Sequence, residues 1–574
     1  MLLRTVAPAL ALALLGACSS TTASDLPATP APPAGMVSAA DPRAAEAGAE
    51  MLRAGGSATD AAIATMLALT VVEPQSSGIG GGGFYVRGTA DGRVETLDGR
   101  EAAPAAATPA WFLDGNGAPR PFLQAVMSGL SVGVPGNLRL AEEAHRRHGK
   151  LEWARLFEPA IALARDGFTI TERFHEYLGA ARDRAAFDAE GQALFYDEAG
   201  EPLAVGTLVR NPALAETLAQ IARAGPDTFY LGDNAAALAV RVASETPHPA
   251  GMTTEDVAAY RAKDRPPVCA AYRSYRICGM GPPSSGATTV LAILKQLEGF
   301  DLSALGPHSP TSWHLFAESQ RLAYADRELF LGDTDFVAVP VRGLVDDGYL
   351  ARRGALISAE HAMATATAGS PPPGDGPPIM AWADGDEPEE NGTSHFAVTD
   401  KWGNAVSYTS TVEGPFGSGI MVGGYYLNNE LTDFSFSPAK GGKPVANRVE
   451  GGKRPRSSMA PTLVYDAEGR LVLAIGAAGG STIPIQVSKA LIGYLDWGLS
   501  AQEAIALPGL YAPGDTVFVE PGTWLEDMLP QLRALGHAGA TTRRMPFKAN
   551  AVEWRAGRWV GAADPRSEGK AVPE

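Results

Sequence analysis

Thr393-Ser-His-Phe-Ala-Val-Thr-Asp-Lys-Trp-Gly-Asn-Ala-Val-Ser-Tyr-Thr-Ser-Thr411-Val-Glu413-Gly-Pro-Phe-Gly417 has the pattern of a β-hairpin. His395 to Thr399 is a short β-like run and Ala405 to Val412 a second. Lys401-Trp402-Gly403 between them suits a three-residue loop with Gly403 in the left-handed conformation. That loop sets Asp400 opposite Asn404, and counting outward sets Thr393 opposite Thr411. Opposed residues share a face of the sheet. Two threonine hydroxyls therefore meet where the first strand begins.

Upstream lie Ser370-Pro-Pro-Pro-Gly-Asp-Gly-Pro-Pro and Asp384-Gly-Asp-Glu-Pro-Glu-Glu-Asn-Gly392. A proline-rich, acidic run cannot build a core. A loose segment entering Gly392-Thr393 directly suggests a cut there, with Thr393 as a new N-terminus. A threonine hydroxyl is a weak nucleophile and needs a base beside it. A free α-amine titrates near ~8 and would sit on the same residue. The plain alternative is an ordinary exposed hairpin.

Thr393-Ser-His, then Gly403-Asn-Ala-Val-Ser-Tyr-Thr-Ser-Thr-Val-Glu413, then Phe416-Gly417 resembles the signature of the γ-glutamyltransferase family. Members are N-terminal-nucleophile hydrolases that cleave themselves before the nucleophilic threonine. Ala397 stands where that signature usually has Ser or Thr. The resemblance runs over nearly the whole chain after residue ~36.

At 574 residues the chain could hold several domains by length alone. A net charge of −17 and no basic stripe argue against nucleic-acid binding, which needs clustered Lys and Arg. Residues 1–18 read as a signal peptide, with Arg4 before an apolar run, Val6 to Leu15, too short to span a bilayer. Leu15-Gly-Ala-Cys18 resembles a bacterial lipobox, in which the cysteine is acylated. The alternative is a plain signal peptide cut near Ala17. Residues 19–36, rich in Ser, Thr, Ala and Pro, make a flexible tether. Lipid and tether imply a protein held at a membrane surface, in the periplasm. Cys269 and Cys278 face each other if Arg273-Ser274 is a two-residue turn; a cross-strand disulfide and two buried thiols both fit.

Asp41-Pro42 reads as a helix start and Gly55-Gly56 as its end. Ser57-Ala-Thr-Asp60 has the form of a capping box before a buried helix that stops at Pro74. Gly78-Ile-Gly-Gly-Gly-Gly83 contains G-x-G-x-x-G, but a helix precedes it and a strand follows, the reverse of a dinucleotide site. It reads as tight backbone packing. Gly129-Leu-Ser131-Val-Gly133 matches G-x-S-x-G, yet Val134-Pro135-Gly136 breaks the helix an esterase elbow needs. His145 and His148 share a helical face, but no third metal ligand is near, and cations suit a helix's last turn. His395 lies two residues along a strand from Thr393, too far to serve its hydroxyl.

The resemblance assigns roles by position. Arg100, at the charged end of a strand read over Val94 to Glu101, with Ser457 and Ser458, would bind a substrate α-carboxylate; an arginine fork matches one bidentately. Glu413, Glu430 and Asp433 would bind the α-ammonium. Several members carry amides where this chain has Glu413 and Glu430, so the site should be more negative here. Phe434 to Gly452 resembles the family's lid loop but is shortened and lacks a tyrosine some members place over substrate. Gly479 and Gly480, before a helix from about Ile483 to Leu495, would supply oxyanion-hole N–H groups.

The implied fold is α+β, the N-terminal-nucleophile hydrolase four-layer αββα sandwich. It would be built from a large subunit, 37–392, and a small catalytic subunit, 393–574. The implied activity is transfer of the γ-glutamyl group of glutathione or γ-glutamyl amides to Thr393, then to water or amino acids. Thr411 orients the nucleophile, and no metal or cofactor is needed. Alternatives are a cephalosporin (glutaryl) acylase of the same fold and a non-catalytic surface lipoprotein. The acidic shell argues against the first, since a glutaryl group has no amine.

Overall fold

The computed structural model describes residues 34–248, 251–373, 383 and 392–574. The expected signal peptide, Cys18, nearly all of the tether and most of the acidic run before Gly392 lie outside them. The chain enters through β1 (Met36–Ala39), which takes in the last residue read as tether. Helix α1 (Pro42–Arg53) is capped by the Asp41 side chain with proline at its start. Helix α2 (Ala58–Val72) opens with the Ser57–Asp60 capping box and is buried on every side. A helix apolar all round belongs between two layers, not at a surface. Then come β2 (Gly82–Gly88), β3 (Val94–Gly99) and α3 (Asn137–His148). β4 (Lys263–Asp264), β5 (Val268–Tyr272), β6 (Tyr275–Gly279), α4 (Gly286–Gln296) and α5 (Pro310–Phe330) follow. Beyond the acidic run lie β7 (Ser394–Thr399), β8 (Ala405–Thr411), β9 (Thr462–Tyr465), β10 (Leu471–Ala478), α6 (Ile483–Leu495), β11 (Lys548–Arg555), β12 (Arg558–Ala563) and β13 (Lys570–Pro573).

These strands make two sheets, ordered β13-β1-β7-β8-β2-β3-β4 and β12-β11-β10-β9-β6-β5. One face of the first packs Phe396, Val398, Val406 and Tyr408 against α1 and α2. Its other face sets Ala397, Ala405, Phe84 and Val86 against the second sheet, whose far side is covered by α4, α5 and α6. The result is the expected αββα layering. Both sheets mix strands from before and after Gly392, so neither half can bury its core alone. No helix among the described residues is long and apolar enough to cross a membrane.

The hairpin has the register read from its loop: Thr399 faces Ala405 and Ser394 faces Ser410, with Gly403 at φ 80°. Its strands are fully buried, not exposed, because β1 and β2 cover its edges and α1, α2 and the second sheet cover its faces; only the loop, with Trp402 at 42% exposure, meets solvent. The glycine run makes that possible; a Cβ on Gly81 would sit 1.9 Å from Thr411 O. The serines and threonines of β8 are buried yet hydrogen-bonded, as interior polar groups must be. Ser407 donates to Ile475 O, and Asn137 Nδ2 donates to Ser410. Ser131 is likewise a buried turn residue donating to Val126 O and Ser128 O, so the G-x-S-x-G match carries no nucleophile. Cys269 and Cys278 are directly opposed across β5 and β6 and form a disulfide.

Candidate active site

Thr393 immediately precedes β7, and its Oγ1 lies 3.1 Å from Thr411 Oγ1 at the end of β8. Thr411 Oγ1 donates to the Gly392 carbonyl at 2.8 Å and accepts from Glu413 N at 2.8 Å. Thr393 Oγ1 also contacts the Gly392 oxygen. A hydroxyl nucleophile thus lies against a carbonyl already polarised by a second hydroxyl. Position 392 admits only glycine comfortably, since a Cβ there would lie 2.5 Å from Glu413 O. His395 is not part of this group. Its Nδ1 meets Thr409 Oγ1 at 2.8 Å, and burial pulls its pKa down to about 3.

The His395 ring also packs on Gly476, while Ser407 Oγ donates to Ile475 O. Moving along β7 toward Thr393 therefore moves along β10 toward Gly479. Gly479 (φ 126°) and Gly480 (φ 57°) turn the chain from β10 into α6. Gln486 Nε2 takes the Ala478 carbonyl and Thr482 Oγ1 the Gly479 carbonyl, which fixes this turn.

Arg100 leaves the end of β3 fully buried. Its guanidinium pairs with Glu430 and Asp433, and also donates to Pro455 O at 3.2 Å and Arg456 O at 3.0 Å. The last two carbonyls run directly into Ser457 and Ser458. Burial opposes the Arg100 charge, but Glu430 and Asp433 more than offset it and raise its pKa. Ser457 Oγ accepts from Met459 N at 3.2 Å, and Ser458 Oγ accepts from Arg327 of α5 at 2.6 Å. Carboxylate oxygens of Glu413, Glu430 and Asp433 lie within 4.8 Å of one another. Such a trio could hold a hard cation, but the Arg100 guanidinium already pairs with two of its members. Glu413 takes its place at φ 76°, a left-handed conformation that costs a non-glycine residue about 1–3 kcal/mol.

Two groups here received no role from sequence reasoning. Glu101, next to Arg100, is fully buried; its carboxyl lies against that of Glu430, and among the described residues no N–H or hydroxyl donor reaches either of its oxygens. Burial raises its pKa to about 7, and burial likewise raises that of Glu430 well above the carboxylate range. The second is Lys548, at the start of β11, whose ammonium is buried against Glu73. Adjacency to Arg100 was the available signal for Glu101, and a lysine opening an apolar strand was the signal for Lys548.

The family model described as gamma-glutamyltranspeptidase matches residues 44–574. A glutathione hydrolase proenzyme of Bacillus subtilis (strain 168) is 37% identical over 94% of this chain and 91% of its own length. An acylase ACY 1 proenzyme of Pseudomonas sp. (strain SE83) is 35% identical over 94% and 93%. Among solved structures, cephalosporin acylase from Bacillus halodurans superposes with a TM-score of 0.81 at 27% identity, over 96% of this chain and 99% of that one. The family model over residues 44–574 and relatives above 30% identity along more than nine-tenths of the chain, together with the αββα sandwich, make this chain a member of the gamma-glutamyltranspeptidase family of N-terminal-nucleophile hydrolases.

Proposed function

We propose that the chain cleaves itself between Gly392 and Thr393 and then hydrolyses or transfers the γ-glutamyl group of glutathione and related amides. The Thr393–Thr411–Gly392 contact carries this reading. In self-cleavage, Thr393 Oγ1 adds to the Gly392 carbonyl carbon while Thr411 holds the oxygen. Collapse breaks the C–N bond as the Oγ1 proton passes to the departing nitrogen, leaving an ester on Oγ1 and a free α-amine. Water then hydrolyses the ester, leaving residues 393–574 as the small subunit.

In turnover the amine takes the Oγ1 proton as Oγ1 attacks the γ-glutamyl carbonyl. Backbone N–H groups of Gly479 and Gly480 hold the oxyanion, each worth a few kcal/mol in the transition state. The proton passes to the leaving amine, and water or an amino acid resolves the acyl-enzyme. A donor brings an α-carboxylate and an α-ammonium together. The carboxylate takes Arg100, Ser457 and Ser458; the ammonium takes Glu413, Glu430 and Asp433. One internal ion-pair cluster is thereby exchanged for two intermolecular ones. A glutaryl group would bring no ammonium and leave Arg100 shared between its carboxylate and those of Glu430 and Asp433, which favours the γ-glutamyl reading over the acylase one. We further propose a periplasmic protein anchored by a lipid on Cys18. A denaturing gel of purified protein, with and without a γ-glutamyl anilide, tests the core reading. It should show two chains and release of the aniline, and a single uncut, inactive chain rejects it.

A further inference from the structure

Glu73 caps the C-terminus of α2, buried, and joins three parts of the molecule. Ser394 Oγ, on the residue after the nucleophile, donates to Glu73 Oε2 at 2.6 Å, and Ser77 Oγ donates to Ser394 Oγ at 3.0 Å. Lys548 Nζ donates to both Glu73 oxygens at 3.2 and 3.1 Å and to Ser76 Oγ at 3.3 Å. Lys548 is the β11 residue paired with Ala478, the last residue of β10 before Gly479. Its own N–H donates to Gln486 Oε1, and Gln486 Nε2 holds the Ala478 carbonyl. One buried carboxylate thus ties the start of β7 to the strand end that carries the glycine pair.

We propose that Lys548, Glu73 and Ser394 form a strut of positioning residues that fixes Thr393 against the Gly479–Gly480 backbone once the chain is cut. This rests on Thr393 being the nucleophile. Cleavage makes Thr393 a chain end, and a free strand end frays unless it is tied down. β1 and β8 pair with β7, but the ladder's last pair is Ser394 with Ser410, one residue short of the nucleophile. The side-chain tie at Ser394 supplies the missing constraint. A lysine is costly to bury unless paired, so a charge used only for packing is a poor choice here.

The charge state of Lys548 provides a readout. Burial lowers its pKa to about 8, with Arg173 pushing the same way and Glu73 and Asp41 opposing. Deprotonation slackens the strut, so the strut's share of kcat falls as pH rises through about 8, against the gain from the Thr393 α-amine as it deprotonates near ~8. Stability responds in the opposite sense. Between the folded pKa and the ordinary lysine value near ~10.4, the unfolded chain holds the extra proton, so this group's contribution to stability rises with pH.

The test uses matured Lys548→Met, Glu73→Gln and the double variant, assayed with a γ-glutamyl anilide across pH beside Thr393→Ala. Each single variant leaves a buried group unpaired and should lower both Tm and kcat. The double variant removes both charges and should regain most of the Tm. Its kcat should stay ~10- to 100-fold low, the cost of a displaced reacting group, with KM within about twofold and the alkaline fall gone. Ser394→Ala, which keeps the Lys548–Glu73 pair, should lose kcat with a smaller fall in Tm than either charge variant, since it strands only the Ser77 hydroxyl. Wild-type kcat in either the double variant or Ser394→Ala overturns the strut, as does an alkaline fall that persists in the double variant. Activity in Thr393→Ala instead overturns the nucleophile assignment.

Discussion

Thr411 holds its hydroxyl 3.1 Å from that of Thr393 while donating to the carbonyl of the residue before it. One side chain therefore touches the attacking atom and the bond to be broken. Thr411→Val keeps the shape and removes the donor. Loss of one such donor slows acyl transfer ~10²–10³-fold, and self-cleavage should slow by a similar factor. A gel time course would show it, with Thr393→Ala staying one chain throughout. Maturation of Thr411→Val at the wild-type rate, or no wild-type fragment beginning at Thr393, would contradict the assignment.

Glu101 and Glu430 give the site a pH signature. Burial raises both carboxyl pKa values, Glu101 to about 7. A carboxyl raised in the folded state stabilises while protonated, and that stability is lost as pH rises from the ordinary range near ~4.3 toward 7. Unliganded protein should therefore lose Tm across this window. A γ-glutamyl ligand brings an ammonium to the ionised carboxylates and should raise Tm more at pH 8 than at pH 6. Equal ligand shifts at both pH values would remove these acids from the donor site.

The Cys269–Cys278 disulfide closes a short loop between adjacent strands. Loop-closure entropy for that length gives about 2–3 kcal/mol. Reductant should lower the unfolding midpoint of wild type and leave a Cys269→Ser/Cys278→Ser variant unchanged. Equal midpoints for wild type with and without reductant would mean that the bond does not form.

Leu15-Gly-Ala-Cys18 motivates a fractionation test. Cys18→Ala should move the protein from the membrane to the soluble periplasmic fraction. Unchanged partition, or an unmodified N-terminus by mass spectrometry, excludes the anchor.

The hairpin was legible in the sequence because its determinants are local. A loop of Lys401-Trp402-Gly403 fixes the register, and register alone brings Thr393 to Thr411. The helix starts at Asp41-Pro42 and Ser57 were legible for the same reason. Burial of the hairpin's strands was not, since it depends on α1, α2 and the second sheet, which are distant in the chain. Nor do the residues themselves announce that Arg100 meets Glu430 and Asp433; the family resemblance set Arg100 and these carboxylates on opposite charges of one substrate, and their pairing with each other emerged only in the fold. What lay beyond both was Glu413 at positive φ, the buried Glu101 beside Glu430, and Lys548 reaching Glu73 across the sandwich. Each depends on where the chain closes up, which neither periodicity nor a motif encodes.

Asp433 offers the sharpest separation between the two donor classes found among the relatives. Its carboxylate pairs with Arg100 and stands within reach of Glu413 and Glu430. In the proposed complex it faces the donor α-ammonium. Deleting one member of a charge-assisted contact costs ~2–5 kcal/mol when the other charge stays buried, roughly 30- to 5000-fold in kcat/KM. Asp433→Ala should lower kcat/KM for a γ-glutamyl anilide by that factor. Self-cleavage should continue, because the precursor reaction binds no ammonium. A glutaryl anilide has the same carboxylate and acyl carbon but no ammonium. For that donor the wild-type shell is a repulsive, desolvated cluster, and removing Asp433 also frees one arm of Arg100. The same variant should therefore be neutral or faster with the glutaryl donor. Both donors would be measured on wild type and variant. Wild-type preference for glutaryl amides, or an equal loss with both donors, would mean that the carboxylates do not hold an ammonium, and the acylase reading would then replace the γ-glutamyl one.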